Sequence, residues 1–364
     1  MPRSYPRFKA AACHAASVFL DAAKTADKAC DLIDEASRNG AKLVVFPESF
    51  IPGFPIWAAL QAPIRSHDFF QALAREALLL DGPEIEKLRM AARRHGVVVS
   101  VGITEGTDQS VGCLWNSNIL IGMDGTIINH HRKLVPTFYE KLVWANGDGR
   151  GLRVVATEIG RLGMLICGEN TNPLARFALM AQGEQVHLSS YPPIWPTRPA
   201  TDDGGYDLRR AIEIRAGSHA FEAKVFNVVA SGCLDLSIRD ELARLDKPAL
   251  DTIENSPPAV SMILGPTGEV ISDVLADHEG IVYGEIDIAR SVEQKQFHDV
   301  VGYYNRFDIF HLEVDQTPRN PAAFLAQDPI GTLADIPSAS DRTKTAHANG
   351  GSHRPRGAID PAAE

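Results

Sequence analysis

Apolar runs of strand length alternate with amphipathic helical stretches along this chain, and the order comes round twice; no other feature restricts the possible folds as much. After the opening run "FKAAACHAASVFL", Ala22, Ala26, Ala29, Ile33 and Ala36 recur at steps of four and three, one face of a helix closed by Gly40. "KLVVFPE" reads as a buried strand. Ile85, Leu88 and Ala92 mark a second helix ended by Gly96, "VVVSVGI" is the next strand, and "NSNILIGMDGTIINHHRK" is a hairpin about "MDG". The second half repeats the sequence of elements: strand "GMLIC", a helix from Pro173 to about Gln182, strand "VHLSSY", a helix near Leu208 to Glu222, strand "VFNVVA" and a hairpin "SMILGPTGEVI". Two copies of one αβ unit make this an α/β protein. The charged stretch "LDLSIRDELARLDKPALDTIENS" between Cys233 and Pro258 has no counterpart in the first half and is expected on the surface, as a partner contact or a lid.

Composition narrows the function. With 45% hydrophobic residues in 364, the chain can bury a large core, as one α/β domain or two smaller ones. A formal net charge of -10 argues against nucleic acid or an anionic membrane as partner and favours small-molecule chemistry. No apolar run reaches the 18 or so residues of a membrane span. Cys13, Cys30, Cys113, Cys167 and Cys233 are odd in number, widely spaced and form no CxxC pair, so they signal neither a disulfide framework nor a zinc site, and no metal or cofactor is expected. A reducing cytoplasm is the expected location. The first 23 residues have the outline of a signal peptide, but Cys13, His14 and Ser17 interrupt the run and a helix follows at once, so a first core strand is the better reading. From Pro337 to Glu364 there is no Phe, Tyr, Trp, Leu or Val, which predicts a disordered tail at 337–364.

Three chemically capable residues stand at strand ends: Glu48 after "LVVFP", Lys133 after "TIINHHR" and Cys167 after "GMLI". In α/β sheets that edge is where loops present side chains to ligands. Each alone is unremarkable; together they make a nucleophilic site. The attacking species of a cysteine is its thiolate, so Cys167 needs a base, a cation or a helix N-terminus nearby. Glu48 offers the base and Lys133 the cation. Asn172 as cap and Pro173 as first helical residue would turn the positive end of a helix toward the thiol. The Gly168 N–H is a second donor for developing negative charge. His130 and His131, adjacent in one strand, face opposite ways and read as structural.

"FPESFIPGFP", "HHRKLVPTFYEK" and "LICGENTNPLAR" resemble, in order and spacing, the three signature segments of the nitrilase, or carbon-nitrogen hydrolase, superfamily. The resemblance runs over roughly residues 7 to 310. It implies an αββα sandwich over 1–310, a layered unit that pairs with a second subunit into four-layer dimers and builds larger homo-oligomers or spirals. Residues 311–336, beyond the resemblance, are expected to form a C-terminal extension at a subunit contact. Carried over by position, Glu48 is the general base, Lys133 the catalytic lysine, Cys167 the nucleophile and Glu140 a second glutamate that positions the lysine.

Glu169, "NPLAR" and "YPP" resemble the nitrilase branch in particular. That branch commonly has tryptophan after the nucleophile; here the position is Gly168, which should widen or reshape the pocket. Gly168, Glu169, Phe54, Trp57, Tyr139, Tyr191 and Trp195 are the candidate substrate-binding residues. The expected activity is hydrolysis of an organic nitrile to the acid and ammonia. An amidase using the same residues on a carboxamide, and a catalytically silent assembly protein on the same scaffold, are the alternatives.

Overall fold

Small side chains set the first packing contact. In the computed structural model, which describes residues 5–242 and 244–319, the helix Ala22–Arg38 buries Ala22, Thr25, Ala26, Ala29, Ile33 and Ala36. Asp21 caps it, accepting from Lys24 N at 2.9 Å. The helix Pro83–His95 lies beside it, begins on a proline and ends at Gly96 with φ +58°, the left-handed turn that glycine adopts without strain. Ile85, Leu88 and Ala92 face the same core as the first helix.

Both helices cover a sheet made from β1 (Arg7–His14), β2 (Ala41–Val45), β3 (Val98–Glu105), β4 (Trp115–Ile121) and β5 (Ile127–Arg132). A second sheet contains β6 (Val155–Thr157), β7 (Gly160–Ile166), β8 (Val186–Tyr191), β9 (Phe226–Ser231) and β10 (Met262–Leu264). In each, three parallel strands (β1-β2-β3 and β7-β8-β9) are flanked by antiparallel neighbours. The expected repeat of one αβ unit is therefore present, with one addition. β11 (Gly280–Asp287) pairs antiparallel with β1, Arg7 opposite Asp287 and His14 opposite Gly280, so a strand that follows the second unit completes the sheet of the first half.

The period of two along each strand divides the core. Ala10, Ala12, Leu43, Val45 and Val98 meet Met164, Val186, Leu188, Val228 and Ala230 between the sheets. Ala11, Cys13, Val44 and Phe46 face the outer helices of the first sheet. Across the molecule, Leu208, Ile212, Ala216 and Ala220 of the helix Leu208–Ala223 cover Ile166 and Val229, and Ala175 and Leu179 of the helix Pro173–Met180 cover Leu165. The layers are helix, sheet, sheet, helix, the expected αββα sandwich. With side chains buried on both faces, the central strands read as unbroken apolar runs.

The charged insertion is more than a surface loop. It forms the helices Leu236–Leu242 and Lys247–Asn255, whose Ile238, Leu242, Ala249 and Ile253 pack with Phe54, Trp57, Tyr139 and Trp144. Its charges face outward and its apolar stripe seals a cluster next to the strand ends. The extension at 311–336 is described only to residue 319, without helix or strand, and Gln316 Nε2 donates to Leu152 O at 2.6 Å. The tail at 337–364 lies outside the described residues. Among the described residues no helix is long and apolar enough to cross a membrane.

Candidate active site

The three strand-end residues converge, and the chain makes room for them by specific means. Glu48 lies just past β2, where the segment Pro47–Ser49 runs against β3 at Gly102. A Cβ at Gly102 would stand 2.3 Å from Pro47 O and 2.9 Å from Glu48 Cα, so only glycine admits this approach. Glu48 N donates to Tyr191 O at 3.3 Å, which ties the site edge of the first sheet to that of the second. Lys133 follows β5, its N–H donating to Asn116 O at 2.8 Å. Cys167 follows β7 with φ +47°; Ser49 (φ +45°) and Phe138 (φ +53°) stand beside the other two segments in the same left-handed region. Non-glycine residues there carry backbone strain, which the surrounding packing has to hold.

Lys133 Nζ donates to Glu48 Oε1 at 2.7 Å and to Glu140 Oε2 at 2.6 Å. All three side chains are fully buried. Asn116 Nδ2 also donates to Glu48 Oε1, at 2.7 Å, while Glu48 Oε2 has no protein partner. Glu140 Oε2 further accepts from Thr137 N at 2.9 Å, and its Oε1 accepts from Trp195 Nε1 at 3.2 Å. The Cys167 sulfur and one oxygen of each carboxylate lie within 4.8 Å of one another. A metal ion could use such a spacing, but the cation between these carboxylates is the lysine's own ammonium.

The charges follow from this arrangement. Burial, reinforced by Glu140, pushes the Glu48 carboxyl up to about 7 against the pull of Lys133. Burial alone would lower Lys133, but Glu140 and Glu48 outweigh it and hold the ammonium charged well above its usual range. Burial and then Glu48 drive the Cys167 thiol well above its ordinary value, so the resting sulfur keeps its proton. Nor does a long helix begin at the thiol. A single turn, Cys167–Thr171, intervenes, and the Pro173 helix is capped by an exposed Asn172 accepting from Leu174 N at 3.0 Å. Activation of the thiol therefore falls to Glu48 and Lys133.

Other predicted residues take particular places. Glu169 is buried with both oxygens occupied: Oε1 by Leu134 N at 2.6 Å, Oε2 by Ile166 N at 2.8 Å and His131 Nε2 at 2.9 Å. It fastens the segment after Lys133 to the strand end before Cys167. His130 turns the other way, to Glu105 Oε2 at 2.7 Å, as adjacent strand residues should. A Cβ at Gly168 would sit 2.8 Å from Thr137 Oγ1, so the space beside this glycine is taken by threonine. Tyr139 and Trp195 stack at 5.5 Å, and Tyr191 packs with Cys167. Phe54 meets Trp144 edge-on at 5.6 Å and Trp57 stacks on Phe69 at 5.7 Å, both under the inserted helices. Asn116, Thr137 and Asn170 were not singled out from sequence. For Asn116 the available signal was a polar side chain in a strand otherwise buried along its length.

The chain is similar to known proteins in sequence and in fold. A family model described as carbon-nitrogen hydrolase matches residues 9–296. A nitrilase of Paraburkholderia phymatum is 32% identical over 90% of this chain and 92% of its own length. A cyanide hydratase of Botryotinia fuckeliana is 33% identical over 86% of this chain and 84% of its own. The crystal structure of a carbon-nitrogen hydrolase from Helicobacter pylori superimposes with a TM-score of 0.66 at 19% identity, covering 84% of this chain and 97% of that one.

Proposed function

Because the chain belongs to the carbon-nitrogen hydrolase family, we propose that it is a nitrilase, converting an organic nitrile to its carboxylic acid and ammonia. The observation that carries this reading is the buried Glu48–Lys133–Glu140 array beside the Cys167 sulfur.

Glu48 Oε2, the oxygen left without a partner, takes the thiol proton as the sulfur adds to the nitrile carbon. The proton passes to the nitrile nitrogen and a thioimidate forms, the Lys133 ammonium and the Gly168 N–H holding the charge that develops there. Glu48 then deprotonates a water that adds to the same carbon. Returning this proton to nitrogen gives a tetrahedral carbon bearing OH, NH2 and sulfur. Glu48 then carries the hydroxyl proton to the same nitrogen as the carbonyl forms, so ammonia departs and a thioester is left; a second water, activated in the same way, releases the acid and regenerates the thiol. Glu140, held by Trp195 and Thr137 N, keeps Lys133 in place. If the tetrahedral intermediate expels sulfur before nitrogen, an amide leaves instead. The similarity to a cyanide hydratase makes that branch a real competitor.

Tyr139, Trp195 and Tyr191 supply an apolar, aromatic wall for the substrate's organic group. Leu174, Ile214 and Phe221, exposed on the outer helices of the second sheet, suit contact with a second copy, consistent with a homodimer as the building block. The test is a panel of aliphatic, aromatic and arylaliphatic nitriles with their matched amides, followed by ammonia release and product mass. Acid and ammonia from at least one nitrile supports the proposal. Turnover of amides alone overturns it in favour of an amidase, and no turnover of either class favours the assembly protein.

A further inference from the structure

Behind the nucleophile, away from Glu48 and Lys133, lies a second buried polar cluster: Asn170, Glu184, His187, Ser189 and His219, each at most 2% exposed. Its hydrogen bonds run in one direction. Asn170 Nδ2 donates to Cys167 O at 3.1 Å and to Leu165 O at 3.3 Å. Both partners are carbonyls, so the amide cannot be turned over, and Oδ1 must face the other way. There it meets His187 Nε2 at 2.8 Å and Ser189 Oγ at 3.3 Å. His187 Nδ1 lies 2.7 Å from Glu184 Oε1, and His219 Nε2 lies 2.7 Å from Glu184 Oε2. The ligand atoms of Glu184, His187 and His219 are within metal-binding distance of one another. However, each carboxylate oxygen already faces one ring nitrogen at the distance of a hydrogen bond.

We propose that Glu184, His187 and Asn170 are positioning residues that act in series as a brace on the Cys167 carbonyl, holding the nucleophile in its left-handed conformation. An Asn oxygen only accepts, and with Nδ2 spent on the two carbonyls Oδ1 takes its hydrogen bond from His187 Nε2, while His187 Nδ1 rests against Glu184. Glu184 is held down to about 2: burial would raise it, but His187 and His219 outweigh that. His219, lowered to about 4 chiefly by burial, stays neutral with one proton on Nε2. Arg176 also pulls His219 down.

The brace has a consequence for chemistry because a peptide unit is planar and trans, with C=O and N–H pointing opposite ways. Fixing Cys167 O fixes the orientation of the Gly168 N–H. Without the brace, the strained φ of +47° at Cys167 can relax, and sulfur and N–H lose their aim together.

The inference rests on Cys167 being the nucleophile, so its test includes a readout that needs no nitrile. In the full chain, Asn170→Ala should lower kcat about 100-fold, the cost of losing an oriented donor, with KM changed less than about threefold. It should slow alkylation of Cys167 by iodoacetamide, followed by peptide mass, by about tenfold or more. Glu184→Ala should behave likewise. Glu184→Gln should retain most activity, since its amide can accept from His219 Nε2 and donate to His187 Nδ1, leaving His187 Nε2 to hold Asn170. Folded Asn170→Ala with parental alkylation and kcat overturns the brace. So does a Glu184→Gln variant as impaired as Glu184→Ala. A parent that alkylates at the braced rate but turns over no nitrile leaves the brace standing and removes the nitrilase reading alone.

Discussion

Gly102 lies on a strand and touches no substrate, yet its replacement by alanine should cripple the enzyme. The new Cβ would stand 2.3 Å from Pro47 O, 2.6 Å from Ser49 N and 2.9 Å from Glu48 Cα, all backbone atoms that cannot rotate out of the way. To reach even 3.0 Å, the carbonyl must retreat by about 0.7 Å, and the short segment carries Glu48 with it. Overpacking of this kind costs about 1–3 kcal/mol in stability. The catalytic effect should be larger in proportion: Glu48 Oε1 is held by Lys133 and Asn116 at 2.7 Å each, and misplacing a catalytic group by about 1 Å can cost about 10²-fold. We expect kcat for ammonia release to fall by about tenfold or more with KM little changed, alongside a lower urea midpoint. Gly112→Ala is the control, because nothing lies within 4 Å of a Cβ there, and it should match the parent in both. A Gly102→Ala enzyme with parental kcat would refute the claim that close approach to β3 sets the position of Glu48.

The remaining predictions concern charge and packing at the same site. With the Glu48 carboxyl raised to about 7, kcat/KM should climb with pH through about 7 as the base ionises, the apparent value belonging to the whole carboxylate–lysine cluster; a flat profile from pH 5 to 8 would contradict this. Because the native state binds that proton more tightly than the unfolded chain, this group's contribution to stability should fall as pH rises from about 4.5 to about 7, as urea titrations of the parent and Glu48→Gln can show. Gly168→Trp should express poorly or lose activity through collision with Thr137 Oγ1, and adding Thr137→Gly should restore part of the loss if that contact is the cause. Glu169→Ala strands Leu134 N–H, Ile166 N–H and His131 together and should cost about 3–5 kcal/mol by chemical denaturation; a loss under 1 kcal/mol would refute its role as a fastener.

Much of the fold is legible in the sequence because it depends on local periodicity. The spacing of Ala22, Ala26, Ala29, Ile33 and Ala36 identifies the face the first helix buries, and Gly96 marks the end of the second. Glu48, Lys133 and Cys167 are legible for a related reason: each directly follows a run that has to be a strand, and strand ends gather at one edge of a sandwich. What sequence does not reveal is long-range pairing. "GIVYGEID" shows no sign that it will leave the second half to pair with β1, some 270 positions earlier in the chain. Glu169 looks like a pocket residue beside the nucleophile; its true partners, His131 and Leu134 N, lie 38 and 35 positions away and are fixed by the register of β5. The same holds for Trp195 on Glu140, 55 positions apart, and for Thr137 filling the space beside Gly168. Motif spacing names the groups that do the chemistry, but which neighbours hold them depends on how two sheets stack.

Trapping the covalent intermediate tests the central claim most directly. The parent is mixed with a nitrile it turns over, quenched in acid within the first turnovers, digested and examined by peptide mass. The account predicts one modified peptide, the one containing Cys167, carrying the thioimidate or the acyl thioester of that nitrile and absent from Cys167→Ala. Turnover accompanied by an adduct on Cys13, Cys30, Cys113 or Cys233, or undiminished turnover by Cys167→Ala, would contradict it.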